Sequence, residues 1–280
     1  TLVNYDNGEI KPGLAKSWKV NDNEIIFKLR EGVKFTDGTD FNGEVVKKNI
    51  EMIPKTMGEA YSNTFPALSL IEDVAVVDNY TVKIILSESY YGTLQYFTAV
   101  RPMGMMSVNA YTEDGLSDEV FSKTFGTGKY MIKNAVQGGD YTFVRNENYW
   151  GEKPKVKQFV VKTIPDMESR IMALRNNEID FIFGAQNITY DSFSEFMNDE
   201  KFSAKATDSK VKSRNITLNT SKSPFDDINV RFAVQYAVNK QAICDGLFYG
   251  IEEKGDYLFD QELPYCNISL EPYDYNVEKS

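Results

Sequence analysis

Residues 124–165, TFGTGKYMIKNAVQGGDYTFVRNENYWGEKPKVKQFVVKTIP, divide the chain into two kinds of periodicity. Short alternating strands dominate before them, and strand-like and helical stretches alternate after them. Gly126 and Gly128 flank Thr127, which sets a tight bend ahead of a strand at 129–133. Residues 137–140 supply a Gly-Gly turn, and 141–145 return with Tyr141, Phe143 and Arg145 on one face, so the pair reads as a hairpin. Residues 146–154 form a polar corner that carries Tyr149 and Trp150 between turn-forming Asn, Gly and Pro. A third strand is expected at 156–164.

Upstream, 2–6, 14–20 and 24–30 read as strands separated by turns, with Ile25, Phe27 and Leu29 alternating against Ile26 and Lys28. Asn42 or Asp40 is placed to cap a helix in which Val46, Ile50 and Ile53 share a face and Pro54 limits continuation. Residues 71–77 and 80–86 form a second hairpin. Residues 90–99 read as a helix that Arg101-Pro102 ends. Met103, Met105 and Met106 follow; such a cluster serves either thioether ligation or adaptable packing, and packing is the expectation.

Downstream, 156–183 has the order strand, helix, strand, which argues for a parallel pair. The helix there carries Met167, Ile171 and Leu174 and stops at Asn176-Asn177. Further strands are expected near 202–206 and at 215–218. A helix over 228–238 is expected to bury a stripe of Val230, Ala233, Val234, Ala237 and Val238, and a second helix over 241–249 ends at Gly250. Residues 251–280 are loop-like and rich in Tyr and Pro. The class is mixed α/β (α+β), without internal repeat or low-complexity linker.

Composition removes several functions. The 280 residues carry a net charge of −10, which argues against nucleic acid or an anionic membrane as partner. No apolar run reaches the roughly 18 residues a membrane span needs. The chain opens directly on TLVNYD without an initiator Met and reads as a piece of a longer mature protein. There is no histidine, so neither a Ser-His-Asp device nor an ordinary His-clustered metal site is possible within it. No GxSxG, Walker A, dinucleotide or HExxH motif is present, and Gly126-Thr127-Gly128 leads into a strand rather than a helix N-terminus. Asp37, Asp40, Asp226 and Asp227 read as turn and cap residues rather than a calcium loop. Cys244 and Cys266 give no disulfide framework and read as two free thiols, the first buried. A non-enzymatic binding function is what remains.

The segments GTGKY and RNENYWGEKPKVKQFVVKTIPD resemble the extracellular solute-binding proteins, family 5, which serve peptide and nickel ABC importers. The resemblance extends to LAKSW at 14–18, EGVKFTDGTDF at 31–41 and NTSKSPFDDINVRFAVQYAVNK at 219–240, and so covers most of the chain. It is nearest the nickel branch in YYGTL at 90–94 running to Arg101-Pro102, in VRNENYWGEKP at 144–154 and in LPYCNISLEP at 263–272. The resemblance implies a periplasmic-binding-protein-like architecture. A β-rich inserted domain would span 5–147, an α/β lobe 148–250 together with 1–4, and the start of a crossover toward a second lobe 251–280. It further implies a monomeric, extracytoplasmic protein, periplasmic or held as a lipoprotein on the outer face of the cytoplasmic membrane. That protein would deliver its ligand to an ABC transporter permease. The ligand would be nickel or a similar divalent metal held by a small organic chelator, with a peptide as the alternative, and there would be no other cofactor.

In the nickel branch an arginine before proline holds the chelator's carboxylates, and it maps onto Arg101. A guanidinium fork suits carboxylates bidentately and stays charged at any working pH. The competing role for Arg101 is a structural ion pair with Glu88. The branch also carries a second arginine followed by His-x-Trp after the first helix. Residues 55–65 have neither Arg, His nor Trp, and Tyr61 lies nearest that position.

Overall fold

The computed structural model describes residues 1–6, 8–58, 63–207, 213–258 and 270–280. They gather into two compact units, Thr1–Thr163 and Ile164–Ser280.

The first unit is built on antiparallel strands. Strands β1 (Val3–Asp6) and β2 (Glu9–Pro12) pair around a turn in which Gly8 takes a φ of +83°, a conformation only glycine adopts without strain. Strands β3 (Ala15–Asn21), β4 (Glu24–Leu29), β5 (Ile71–Asp78) and β6 (Thr81–Leu86) form a sheet of order β3-β4-β6-β5, every neighbour antiparallel. Helix α1 (Gly43–Met57) covers this sheet. Asn42, not Asp40, caps it, its Oδ1 accepting from the Val45 N–H at 3.1 Å. Gly43 lets the helix start lie close on the hairpin, since a Cβ there would meet the Val76 and Val82 methyls at 3.0 and 3.1 Å. The helix runs three residues past Pro54, because a proline in the last turn removes one hydrogen bond and the Gly58 N–H closes the end on the Pro54 carbonyl at 2.9 Å.

The core lies between α1 and the sheet. Val45, Val46, Ile50 and Ile53 meet Ile25, Phe27, Leu29, Val74, Val82 and Ile84, all buried. This is the half-buried alternation read from β4, with its apolar face turned onto the helix. A short helix, α2 (Thr93–Tyr96), follows the sheet; the expected helix over 90–99 contracts to these four residues.

The same unit holds a three-stranded antiparallel sheet of β7 (Tyr130–Ala135), β8 (Tyr141–Arg145) and β9 (Gln158–Val161). Phe143 and Phe159 stack at 5.0 Å between ring centroids, and Tyr130 meets Phe159 edge-on at 4.8 Å. The corner at 146–154 is tied down by Asn146, which donates to the Gly128 carbonyl at 3.0 Å and accepts from the Asn148 N–H at 3.0 Å. The Arg30 guanidinium lies 4.7 Å over the Trp150 ring. Residues 31–41 join the bend at 124–128, where the Thr36 N–H reaches the Gly126 carbonyl at 3.0 Å and the Thr36 hydroxyl that of Thr124.

In the second unit the described helices are α3 (Met167–Arg175), α4 (Tyr190–Met197), α5 (Ile228–Ala237) and α6 (Lys240–Leu247). Asp166 caps α3 by accepting from the Ser169 N–H at 2.7 Å, and Asn177, at a φ of +58°, ends it. Two expectations are corrected here. The strand at 156–164 is shorter and pairs antiparallel with β8, and 179–183 form no ladder, so the parallel pair is absent among the described residues. Residues 202–206 and 215–218 likewise belong to no strand among the described residues. Alternation, as in Phe181 and Phe183, reports a backbone preference, whereas a strand needs a neighbour to take its N–H and C=O groups. The α5 stripe, expected to be buried, is not: among the described residues Val230, Ala233, Val234 and Val238 are half-buried and Ala237 is exposed, because apolar spacing specifies a face but not what covers it. Cys244 is a free, buried thiol, and Cys266 lies outside the described residues.

Candidate ligand-binding site

The site is built where the chain leaves α2. Phe97 is wholly buried, its ring centroid 5.3 Å from that of Phe27 on β4. Six residues later Met103 is wholly buried too, and Met105 nearly so. The methionines at 103 and 105 therefore fill the core, which is the packing role. Between these anchors 100–103 make a turn closed by the Met103 N–H on the Ala99 carbonyl at 3.1 Å and the Gly104 N–H on the Val100 carbonyl at 2.7 Å. Arg101 sits in the turn with an extended backbone, φ −115° and ψ 117°. Its side chain is exposed, beside Val100, which is 79% exposed; Tyr90 and Tyr91 are exposed on the approach to α2.

The guanidiniums differ in what they touch. Arg30 donates to the Gly13 carbonyl, Arg145 to Glu147, Arg170 to the carbonyls of Ile164 and Asn187, Arg175 to Glu195, and Arg231 to the carbonyls of Phe225 and Asp226. Arg214 grips Glu252 with two nitrogens, both 2.9 Å from carboxylate oxygens, and lies over the Phe248 ring. Among the described residues the Arg101 guanidinium alone has no hydrogen bond or ion pair, and it makes none with Glu88. A charged fork on a rigid, exposed turn is free to bind an anion. Tyr61, the other residue singled out in the sequence, lies outside the described residues.

Three residues that the sequence did not flag for this role fix the chain beyond the turn. Asn49, in the middle of α1 and 3% exposed, donates to the Val45 carbonyl at 2.8 Å and the Met106 carbonyl at 2.7 Å. Its Oδ1 accepts from the Met106 N–H at 2.8 Å and the Tyr111 hydroxyl at 2.7 Å. That uses both hydrogens and both lone pairs of the amide. Leucine in its place would gain about 2 kcal/mol of burial, but it would take hydrogen bonds from three half-buried groups, the Met106 N–H and C=O and the Tyr111 hydroxyl, each bond worth about 1 kcal/mol. The only sequence signal was a polar residue one position before Ile50 on an otherwise apolar helix face. Burial pushes the Tyr111 hydroxyl up to about 12. Asp37 accepts from the Ser107 hydroxyl at 2.5 Å, the Asn109 amide at 3.0 Å and the Thr39 N–H at 3.1 Å. Burial raises the Asp37 carboxyl, but these hydrogen bonds outweigh it and hold the group below its ordinary value.

Among the described residues no group of three or more Cys, Asp or Glu side chains converges to hold a metal ion. No described helix is long and apolar enough to cross a membrane.

Comparison with known proteins gives the family. Residues 9–280 match the model for bacterial extracellular solute-binding proteins, family 5 (Middle). The chain belongs to that family. The family 5 chain is 30% identical over 284 residues to the nickel-binding periplasmic protein of Escherichia coli, covering 100% of its own length and 53% of the relative's. It is 31% identical to NikA from Brucella suis, solved in complex with Fe(III)-EDTA, at a TM-score of 0.91 over 99% of this chain and 56% of that one. It is 28% identical over 278 residues to the glutathione-binding protein GsiB of Shigella boydii, covering 97% of its own length and 52% of that protein. The mixed α/β fold is thus that of a family 5 solute-binding protein, and the chain spans about half the length of the relatives it matches.

Proposed function

We propose that this chain belongs to the substrate-binding component of an ABC importer, one that captures nickel or a similar divalent metal as a complex with a small organic chelator. The observation that carries the reading is the Arg101 guanidinium, unengaged among the described residues on a turn anchored by Phe97 and Met103. Its fork takes a chelator carboxylate through two parallel hydrogen bonds. These 280 residues hold no histidine, so in this reading they grip the chelator, and the chelator supplies donors to the metal. Tyr61 is assigned to the same ligand, by stacking or through its hydroxyl. The relatives support the ligand class: one is named for nickel binding and another was solved holding Fe(III)-EDTA, a polycarboxylate complex.

In this reading the protein works as a monomer outside the cytoplasmic membrane, in the periplasm or lipid-anchored, and passes its cargo to a membrane permease. It carries no catalytic function. The second reading is a peptide-binding protein, supported by the resemblance to GsiB, whose glutathione also presents carboxylates suited to an arginine.

Titration calorimetry on the protein in its full length separates the two. Nickel–EDTA or nickel–citrate should bind stoichiometrically, and bare nickel should not. Tight uptake of bare nickel would contradict the mechanism, and preferential binding of glutathione or short peptides would establish the second reading in its place.

A further inference from the structure

We propose that Asn49 is a positioning residue for Arg101, acting with Tyr111 by fixing the backbone of the segment that follows the turn. The inference rests on the reading of Arg101 as the ligand-binding residue.

Burial of methionine is non-directional. Met103, Met105 and Met106 lie within four residues, and Met105 is buried while Met106 is half-buried. A slip of one residue would put Gly104 in the wholly buried place of Met103, so packing sets the register. Unbranched thioethers adapt to irregular space, however, so packing does not fix the backbone within that register. The Asn49 amide does, because it engages both the N–H and the C=O of Met106, at 2.8 and 2.7 Å. A shifted or rotated Met106 would lose both bonds, which depend on distance and direction.

The position of this backbone reaches Arg101 through a short path. Gly104 is bonded to the Val100 carbonyl at 2.7 Å, so a shift at 105–106 moves the turn that carries the guanidinium. Tyr111 holds Asn49 in turn, its hydroxyl on the Oδ1 at 2.7 Å. This amide has no free hydrogen-bonding capacity with which to bind a ligand, so its effect on binding passes through the position of Arg101.

The test measures affinity for nickel–EDTA per folded molecule, with the melting temperature, in full-length wild type, Asn49→Leu, Tyr111→Phe, Arg101→Ala and Asn49→Leu/Arg101→Ala. A misplaced fork should weaken binding about tenfold in Asn49→Leu. That loss should vanish when Arg101 is already alanine, because both changes remove the same interaction. Tyr111→Phe, which removes one hydroxyl and keeps the ring, should weaken binding about threefold. If Asn49→Leu does not fold, the Tyr111→Phe affinity decides. Lowered melting temperature with unchanged affinity in the folded variants overturns the positioning role while leaving Arg101 as the binding residue. An unchanged affinity in Arg101→Ala instead removes the underlying reading, and this inference with it.

Discussion

A methyl group on Gly104 would lie 2.8 Å from the carbonyl oxygen of Val100, closer than real Cβ atoms approach backbone. Gly104 has ordinary dihedrals, φ −66° and ψ 121°, so it is the close approach rather than chirality that calls for glycine. The turn bearing Arg101 is drawn tight at this point.

Gly104→Ala should therefore open the turn without removing any side chain that touches a ligand. Affinity for nickel–EDTA should fall about tenfold, with a modest drop in melting temperature. Calorimetry beside thermal melting checks it, and an unaltered affinity would show that the turn geometry does not govern binding.

Phe97 anchors the entry to the same turn. Phe97→Ala empties a fully buried ring site against Phe27 and should cost about 3–5 kcal/mol of stability, read from urea unfolding. Asn42→Ala removes the α1 cap and should cost about 1 kcal/mol. The larger loss at Phe97 distinguishes the core anchor from a helix-end contribution.

Asp37 makes the exit of the turn sensitive to acid. Its folded-state value lies below the ordinary 3.8, held there by Ser107, Thr39 and Asn109 against the opposing effect of burial. A depressed carboxylate contributes stability that is fully present above the unfolded value and is lost as pH falls through the folded value. The stability difference between wild type and Asp37→Ala should be constant at neutral pH and shrink as pH is lowered past about 4. Urea unfolding at a series of pH values measures it; a difference that grows toward low pH would reverse the sign.

The hairpins, the α1 face and the family were legible because their signals are local. Alternation in β4, the spacing of Val46, Ile50 and Ile53, and the glycines around Thr127 each specify structure within a few residues. The RNENYWG segment is distinctive because its side chains hold the corner together. Arg145 binds Glu147, Asn146 reaches the Gly128 carbonyl, and Trp150 receives Arg30. What was not legible depends on partners distant in sequence. Asn49 and Met106 are 57 positions apart, and nothing local announces their pairing. The ladder-less segments 179–183 and 215–218 show the converse, local strand character without a described partner.

The role of Arg101 is tested most directly by Arg101→Ala and Arg101→Lys in the full-length protein, with nickel–EDTA affinity and melting temperature measured on one preparation. Arg101→Ala should lose about 2–5 kcal/mol of binding free energy, as when one partner is removed from a hydrogen-bonded charge pair that the bound ligand buries. Its melting temperature should hardly change, since no described residue depends on the guanidinium. Arg101→Lys should recover little, because a point charge does not reproduce a bidentate fork. A variant that melts earlier yet binds nickel–EDTA as tightly as wild type would contradict the assignment and make Arg101 a structural residue.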